Sequence, residues 1–304
     1  MTTHVAVLLG GVSVEREVSL LSGEACAAAL ESKGYRVTRI DAGRDLPERL
    51  IAARPDRVFN ALHGRMGEDG RVQGLLDLLG VPYTHSGVLA SALAMDKPMA
   101  KLVFAAAGLR CAEGVTTILG SLEDGIPLPA PVVVKPAAEG SSVGVTILMD
   151  DDPAPLFQRN DLDRSQRVLV ERYIPGRELS SGVMGDRALA VTEIRPKEGF
   201  YDYRAKYTEG MAAHDVPASL PPAVYDRVMD WSLRAHQALG CRGVSRADFR
   251  YNPDEGDDAG LYILEVNTQP GMTPLSLVPE QAAYCGIPFA DLVERLVEEA
   301  RCDR

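Results

Sequence analysis

Short apolar runs bounded by glycine alternate with amphipathic stretches along the N-terminal third of the chain. His4–Leu9 is an apolar run that breaks at Gly10-Gly11. Ser13 suits a helix cap, and Glu15–Lys33 is helical in composition, stopping at Gly34. Tyr35–Ile40 and Val58–Leu62 read as the next strands, with a helix over Arg71–Leu79 and a short strand at Val81–Tyr83. Strands separated by helices predict a parallel sheet covered on its faces. Ligands of such sheets bind beyond the carboxyl ends of the strands. Gly10–Glu15 and His63–Gly70 follow strand ends and are therefore candidate site loops.

The pattern then changes. One helix is predicted from Met95 to Ala107, followed by β-rich runs at Val132–Lys135, Val143–Leu148 and Val168–Tyr173. The loop KPAAEGSSVG joins the first two of these runs. Leu179–Arg195 has the pattern of a hairpin. Residues 196–217 are polar and irregular, carry YDYRAKY, and have the length of a functional lid. Pro222–Leu239 is an amphipathic helix, Val244–Tyr251 and Leu261–Val266 are paired strands, and 276–284 and 289–300 are helical. The expected organisation is α/β and α+β: a parallel α/β unit at 1–95, a small β-rich lobe at 96–175, and a larger lobe at 176–304.

Composition narrows the function. The chain has 304 residues, 46% of them hydrophobic and 25% charged, which suits a globular protein with a sizeable core. A net charge of −11 argues against nucleic-acid binding, which needs a basic footprint. No apolar run approaches the roughly 18–20 residues of a membrane span. MTTHVAVLLGG lacks the basic start of a secretory signal. Five scattered cysteines without CxxC spacing suit a reducing compartment, and the expected location is cytoplasmic. Arginines number 26 and lysines only six, so each lysine invites a question about its task.

The residues with chemistry cluster late in the chain. Asp248 lies on one strand of the last pair, and Glu265 and Asn267 lie two apart on the other. Residues i and i+2 of a strand share a face. Two carboxylates and an amide oxygen facing one way suit a hard divalent cation such as Mg²⁺. The same spacing also suits solvated strand ends. Lys135 precedes Gly140, Ser141 and Ser142, whose amides and hydroxyls could cradle phosphate; an ordinary turn between strands fits equally. Glu171 and Glu178 flank a Pro-Gly turn in ERYIPGRE, a segment suited to a hinge. LGGVSV after the first strand is not GxGxxG, so a dinucleotide fold fails.

The order Lys97, Lys135 with its Gly/Ser loop, ERYIPGRE, Arg246/Asp248 and LEVN resembles the ATP-grasp superfamily. The blocks GGVSVEREVSLLSG, LHGRMGEDG, AMDKPMAK, VVVKPAAEGSSVG, YDYRAKY, RADF and LEVNTQPGMTPLSLVP are similar to the D-alanine–D-alanine ligase family, from about residue 5 to residue 290. Met66 and Gln269 depart from the usual pattern, and neither replaces a residue assigned to chemistry. The resemblance implies an N-terminal (pre-ATP-grasp) domain before a two-lobed ATP-grasp fold, and ATP-dependent ligation of two D-alanines through an acyl phosphate. Related ligases that accept D-serine or D-lactate are the alternative, as is a catalytically silent nucleotide-binding regulator.

By the same resemblance, Lys97, Lys135, Ser142 and Lys206 meet the phosphates. Glu171, Tyr173 and Ile174 meet the adenine and Glu178 the ribose. Asp248, Glu265 and Asn267 hold two Mg²⁺, or Mn²⁺ in their place. Arg246 grips the transferring phosphoryl group, and Gly271 adds oxyanion stabilisation. Glu15 anchors the ammonium of the first D-alanine, His63 orients it, and Ser276 binds the carboxylate of the second. Tyr207 links Glu15 and Ser141 and favours D-alanine as acceptor. The resemblance also implies a homodimer.

Overall fold

The computed structural model describes residues 2–140, 144–158, 163–197 and 212–303. Strand β1 (His4–Leu9) is buried along its whole length, as an unbroken apolar run inside a covered parallel sheet should be. It pairs in parallel with β2 (Arg36–Asp41) on one side and β3 (Arg57–Asn60) on the other. Helix α1 (Arg16–Ser32) crosses from β1 to β2. A Cβ on Gly23 would come within 2.4 Å of Leu9 Cβ, so glycine lets α1 lie directly on β1. The expected cap Ser13 sits outside the helix. Its hydroxyl accepts the Glu15 N–H at 3.1 Å and donates to the His63 carbonyl at 2.7 Å, which ties the first site loop to the second.

Helix α2 (Leu46–Ala53), absent from the expectations above, follows β2. The expected strand at Val81–Tyr83 reduces to single bridges from Tyr83 to Val58 and to Arg301. Helix α3 (Arg71–Leu79) agrees with its expected range. The helix expected over Met95–Ala107 is α5 (Lys97–Ala106), and a helix that was not expected, α4 (Val88–Met95), precedes it. Asp96 is extended between them, and its carboxylate caps α5 by accepting the Met99 N–H at 3.2 Å.

The second sheet has the order β4-β7-β5-β6 and is antiparallel. Its strands are β4 (Gly114–Ile118), β5 (Val132–Pro136), β6 (Thr146–Leu148) and β7 (Arg167–Arg172). The third is also antiparallel, ordered β10-β9-β8-β11-β12. It contains β8 (Arg177–Met184), β9 (Arg187–Pro196), β10 (Ala212–Asp215), β11 (Val244–Tyr251) and β12 (Leu261–Asn267). Helix α6 (Pro222–Leu239) packs on this third sheet. Phe104 of α5 joins Val228, Trp231, Phe249 and Ile263 in the same core, so α5 carries Lys97 on the third sheet rather than on the second. Helices α7 (Leu277–Tyr284) and α8 (Phe289–Glu298) close the chain. Leu292, Val293 and Leu296 of α8 pack with Val5, Val7 and Leu30, so the two ends of the chain share one core.

Among the described residues no helix is long and apolar enough to cross a membrane. All five cysteines are free thiols.

Candidate active site

The pairing of β11 with β12 sets Asp248 opposite Glu265 and Arg246 opposite Asn267. Two-residue alternation then brings all four side chains to one face. They line a polar cavity together with Glu68, Lys97, Gly140, Glu178, Gly271 and Ser276. A more apolar cavity adjoins it, walled by Val133, Val145, Ile174 and Leu264 and edged by Lys135, Glu171 and Tyr173. Lys97, Glu178, Asp248 and Glu265 border both. The acidic and basic groups therefore stand at the junction of an apolar slot and a polar chamber.

Arg246 holds Asp248 with two parallel bonds, Nε to Oδ1 at 2.9 Å and Nη2 to Oδ2 at 2.8 Å. Ser180 Oγ donates to the same Oδ1 at 2.7 Å. Asn267 Oδ1 accepts the Gln269 N–H at 2.8 Å. Lys97 Nζ donates to the Glu139 carbonyl at 2.5 Å and lies 3.6 Å from Glu265 Oε2. Its backbone N–H donates to the Ala137 carbonyl at 2.9 Å, which docks α5 against the loop after Lys135. Among the described residues no three or more His, Cys, Asp and Glu side chains gather as a metal site; Asp248, Glu265 and Asn267 present two carboxylates and one amide on one face.

Glu171 is 3% exposed and is held by two lysines. Lys101 Nζ donates to its Oε2 at 2.6 Å, and Lys135 pairs with its Oε1. Burial opposes the charge, but Lys135 and Lys101 outweigh it and keep the carboxyl below the usual carboxylate range. Burial likewise disfavours the Lys135 ammonium, and Glu171 with Glu265 more than restores it. Glu178 lies 3.5 Å from Arg250. The Arg250 guanidinium rests over the Tyr173 ring, 5.9 Å from its centroid, and Nε donates to the Ile174 carbonyl at 3.0 Å. Tyr173 N–H donates to the Pro131 carbonyl at 3.0 Å. These main-chain groups are engaged within the protein, and Tyr173 and Ile174 line the slot.

Glu15 is buried at the start of α1. A Cβ on Gly64 would meet its Oε2 at 2.6 Å, and one on Gly140 would meet it at 2.7 Å, so two glycines make room for this carboxylate. The same Gly140 Cβ position is 3.3 Å from Glu68 Oε1. Glu68 Oε1 accepts the Gly64 N–H at 3.0 Å, while its buried Oε2 has no hydrogen-bond partner. Burial and the nearby charge of Glu15 push the Glu68 carboxyl well above the ordinary range. His63 is buried, lies 3.4 Å from Ser22 Oγ, and is pushed down to about 4 by burial, so its ring is neutral at physiological pH.

Ser276 starts α7, as expected, but its side chain does not cap that helix. Its hydroxyl instead accepts the Thr273 N–H at 2.9 Å and pairs with Thr273 Oγ1 at 2.9 Å. A Cβ on Gly271 would reach this hydroxyl at 2.8 Å. Ser141, Ser142, Lys206 and Tyr207 lie outside the described residues.

The fold thus gathers Glu15, Lys97, Lys135, Glu171, Glu178, Arg246, Asp248, Glu265, Asn267, Gly271 and Ser276 around two adjoining cavities. Three contributors escaped the sequence reading. Lys101 closes the quoted AMDKPMAK block without an assigned task. Glu68 sits in the quoted LHGRMGEDG block without an assigned task. Gln269, noted as a departure, accepts the Asn60 side-chain N–H at 2.8 Å and donates to the Leu62 carbonyl, tying β3 to the strand-end loop after Asn267.

A profile described as "D-ala D-ala ligase C-terminus" matches residues 123–298, and one described as "D-ala D-ala ligase N-terminus" matches residues 47–86. A D-alanine–D-alanine ligase of Methylobacterium radiotolerans is 57% identical over 307 residues, covering 100% of both chains. Among solved structures, a D-alanine–D-alanine ligase from Bacillus anthracis complexed with ATP superposes with a TM-score of 0.81 at 33% identity, covering 98% of this chain and 96% of that one. The VanG D-Ala:D-Ser ligase from Enterococcus faecalis superposes with a TM-score of 0.78 at 28% identity, covering 98% and 99%.

Proposed function

The chain belongs to the D-alanine–D-alanine ligase family, and we propose on that footing that it joins two D-alanines into D-alanyl-D-alanine with ATP, for peptidoglycan precursors. The carboxylate of the first D-alanine takes the γ-phosphoryl group of ATP. The amine of the second attacks the acyl phosphate, and the tetrahedral intermediate collapses to dipeptide and phosphate. The problem is one of crowding: two carboxylates and a triphosphate repel each other, so positioning and charge stabilisation dominate.

The single observation that carries this reading is the junction of slot and chamber. Adenine fits the apolar slot beside Glu171, Tyr173 and Ile174, with Glu178 for the ribose. Lys97 and Lys135 then stand where the phosphates leave the slot. Arg246 serves the transferring group, the Gly271 amide the oxyanion, and Ser276 the second carboxylate. Glu15 receives the first ammonium, and neutral His63 orients that substrate without adding charge. Ser141, Ser142, Lys206 and Tyr207 keep the roles the resemblance implies.

Asp248, Glu265 and Asn267 are hard oxygen donors on one sheet face at the chamber wall, a donor set that fits Mg²⁺. Bound there, the ion would offset triphosphate charge and polarise the γ-phosphoryl group. Supporting a division into 1–95, 96–175 and 176–304, each segment carries one of the three sheets. A homodimer and a cytoplasmic location complete the reading.

Phosphate release from ATP, measured with D-alanine, L-alanine or neither, tests it. D-alanine-dependent release with a dipeptide product is expected. Release that ignores D-alanine, or none from folded protein, overturns it.

A further inference from the structure

Away from the chamber and the slot, a third cavity opens where the segment after β3, the start of β11 and the C-terminal tail meet. Tyr83, His85, His236, Arg242, Glu299 and Arg301 line it. Two of its side chains carry buried nitrogens without hydrogen-bond partners: His85 Nε2, and Nε and Nη2 of Arg242. Buried polar groups in proteins are almost always partnered, so an unpartnered cluster calls for an explanation.

The two Arg242 nitrogens are donors, and His85 Nε2 is a third in the tautomer that its contact with Thr84 favours. Thr84 Oγ1 already accepts the Asn60 N–H at 3.0 Å and lies 2.8 Å from His85 Nδ1. Its own proton is satisfied by bonding to Nδ1, which leaves the ring proton on Nε2. Burial and the charges of His63 and Arg242 depress His85 to about 3, so it is a neutral donor. It is 3% exposed and held at φ 69°, a left-handed conformation rare for a residue with a side chain. Backbone strain of this kind concentrates at ligand clamps. Arg242 is equally constrained. Its guanidinium stacks over the Tyr83 ring, 4.7 Å from the centroid, and Nη2 lies 3.5 Å from Asp303 Oδ1, too far for a hydrogen bond.

Nε and Nη2 are the two donors on one edge of a guanidinium, the edge that meets two oxygens of one anion in parallel. We propose that this cavity binds a small oxyanion, phosphate or carboxylate, held bidentately by Arg242 and by the N–H of His85. The charge an anion must displace is Asp303, ion-paired with Arg242 Nη2, and Asp77 stands behind Tyr83. Glu299 is paired with Arg295 at 2.8 Å, and Asp303 is turned partly aside to accept the Val88 N–H at 2.8 Å. Arg301 adds a cation to the lining. An anion here would tie the N-terminal unit to the third sheet and the C-terminal tail. The site is separate from the ligation chamber, so its failure would leave the proposed reaction untouched.

The test follows the thermal midpoint of the full chain with saturating ATP and Mg²⁺ while inorganic phosphate, acetate or chloride is raised at constant ionic strength. Wild type is expected to gain stability with phosphate or acetate beyond chloride, and the more effective anion identifies the source. Arg242→Lys keeps the charge but loses the paired edge, so half-saturation should rise at least about tenfold. His85→Phe keeps a ring against Phe59 but loses the donor, and should weaken the effect in the same direction. Both variants should keep wild-type turnover, which certifies that they are folded. A response no larger than that to chloride means the cavity holds water only and overturns the proposal. An equal response in folded Arg242→Lys overturns it as well.

Discussion

Arg246 and Asp248, two residues apart on β11, are locked side by side by two parallel hydrogen bonds of 2.9 and 2.8 Å. One member is proposed for the phosphoryl group and the other for the metal, so each holds the other's charge until ligands arrive. The fork geometry is what Lys cannot copy. Arg246→Lys should therefore lower kcat about 100-fold or more, with KM for ATP little changed. Steady-state ADP release checks this, and a rise in KM for ATP at constant kcat would point to simple nucleotide binding instead.

Glu171 is expected to matter for stability as well as for the nucleotide. Removing its charge leaves Lys101 and Lys135 buried without their shared partner. Glu171→Gln should cost about 3–5 kcal/mol, read from denaturant unfolding. Because its carboxyl is depressed in the folded state, the stabilisation is complete above about pH 4.3 and fades as pH falls through the lower folded value. The gap between wild type and variant should narrow in that acid range.

Glu68 has the opposite sign. The folded chain keeps its proton to higher pH than the unfolded chain, so wild-type stability falls as pH climbs above about 4.3 until the folded carboxyl ionises. Gln carries no such loss. The unfolding midpoint of Glu68→Gln relative to wild type should therefore rise with pH from about 4.3 upward. A difference that stays constant with pH would contradict a carboxyl raised by burial and by Glu15.

Gly140→Ala tests the space around Glu15. The added methyl would lie 2.7 Å from Glu15 Oε2 and must displace it. Displacements on the ångström scale at the proposed substrate anchor cost about 100-fold, so KM for the first D-alanine should rise steeply while that for ATP holds. Initial rates with each substrate varied in turn separate the two.

Much of this is legible in the sequence. The spans His4–Leu9, Val244–Tyr251 and Pro222–Leu239 match their elements end to end, because each has a clean apolar period and marked boundaries. The facing of Glu265 and Asn267 followed from two-residue alternation, and Asp248 joins them through the pairing of β11 with β12. Strand β4 was missed because all five of its residues are partly or well exposed, so no buried face printed a pattern on the sequence. Lys101 reaches Glu171 across 70 positions, and Gln269 reaches Leu62 across 207. Partnerships of that range are set by how sheets close on each other, and no local spacing records them.

The most direct measurement compares D-alanine-dependent ADP release by wild type and Glu265→Gln, alongside their unfolding midpoints. The Glu265 side chain is 30% exposed and faces the chamber, so its charge should serve the ligands rather than the fold. Turnover is expected to collapse at least about 100-fold with the midpoint nearly unchanged. Near-normal turnover in a well-folded Glu265→Gln would contradict the account.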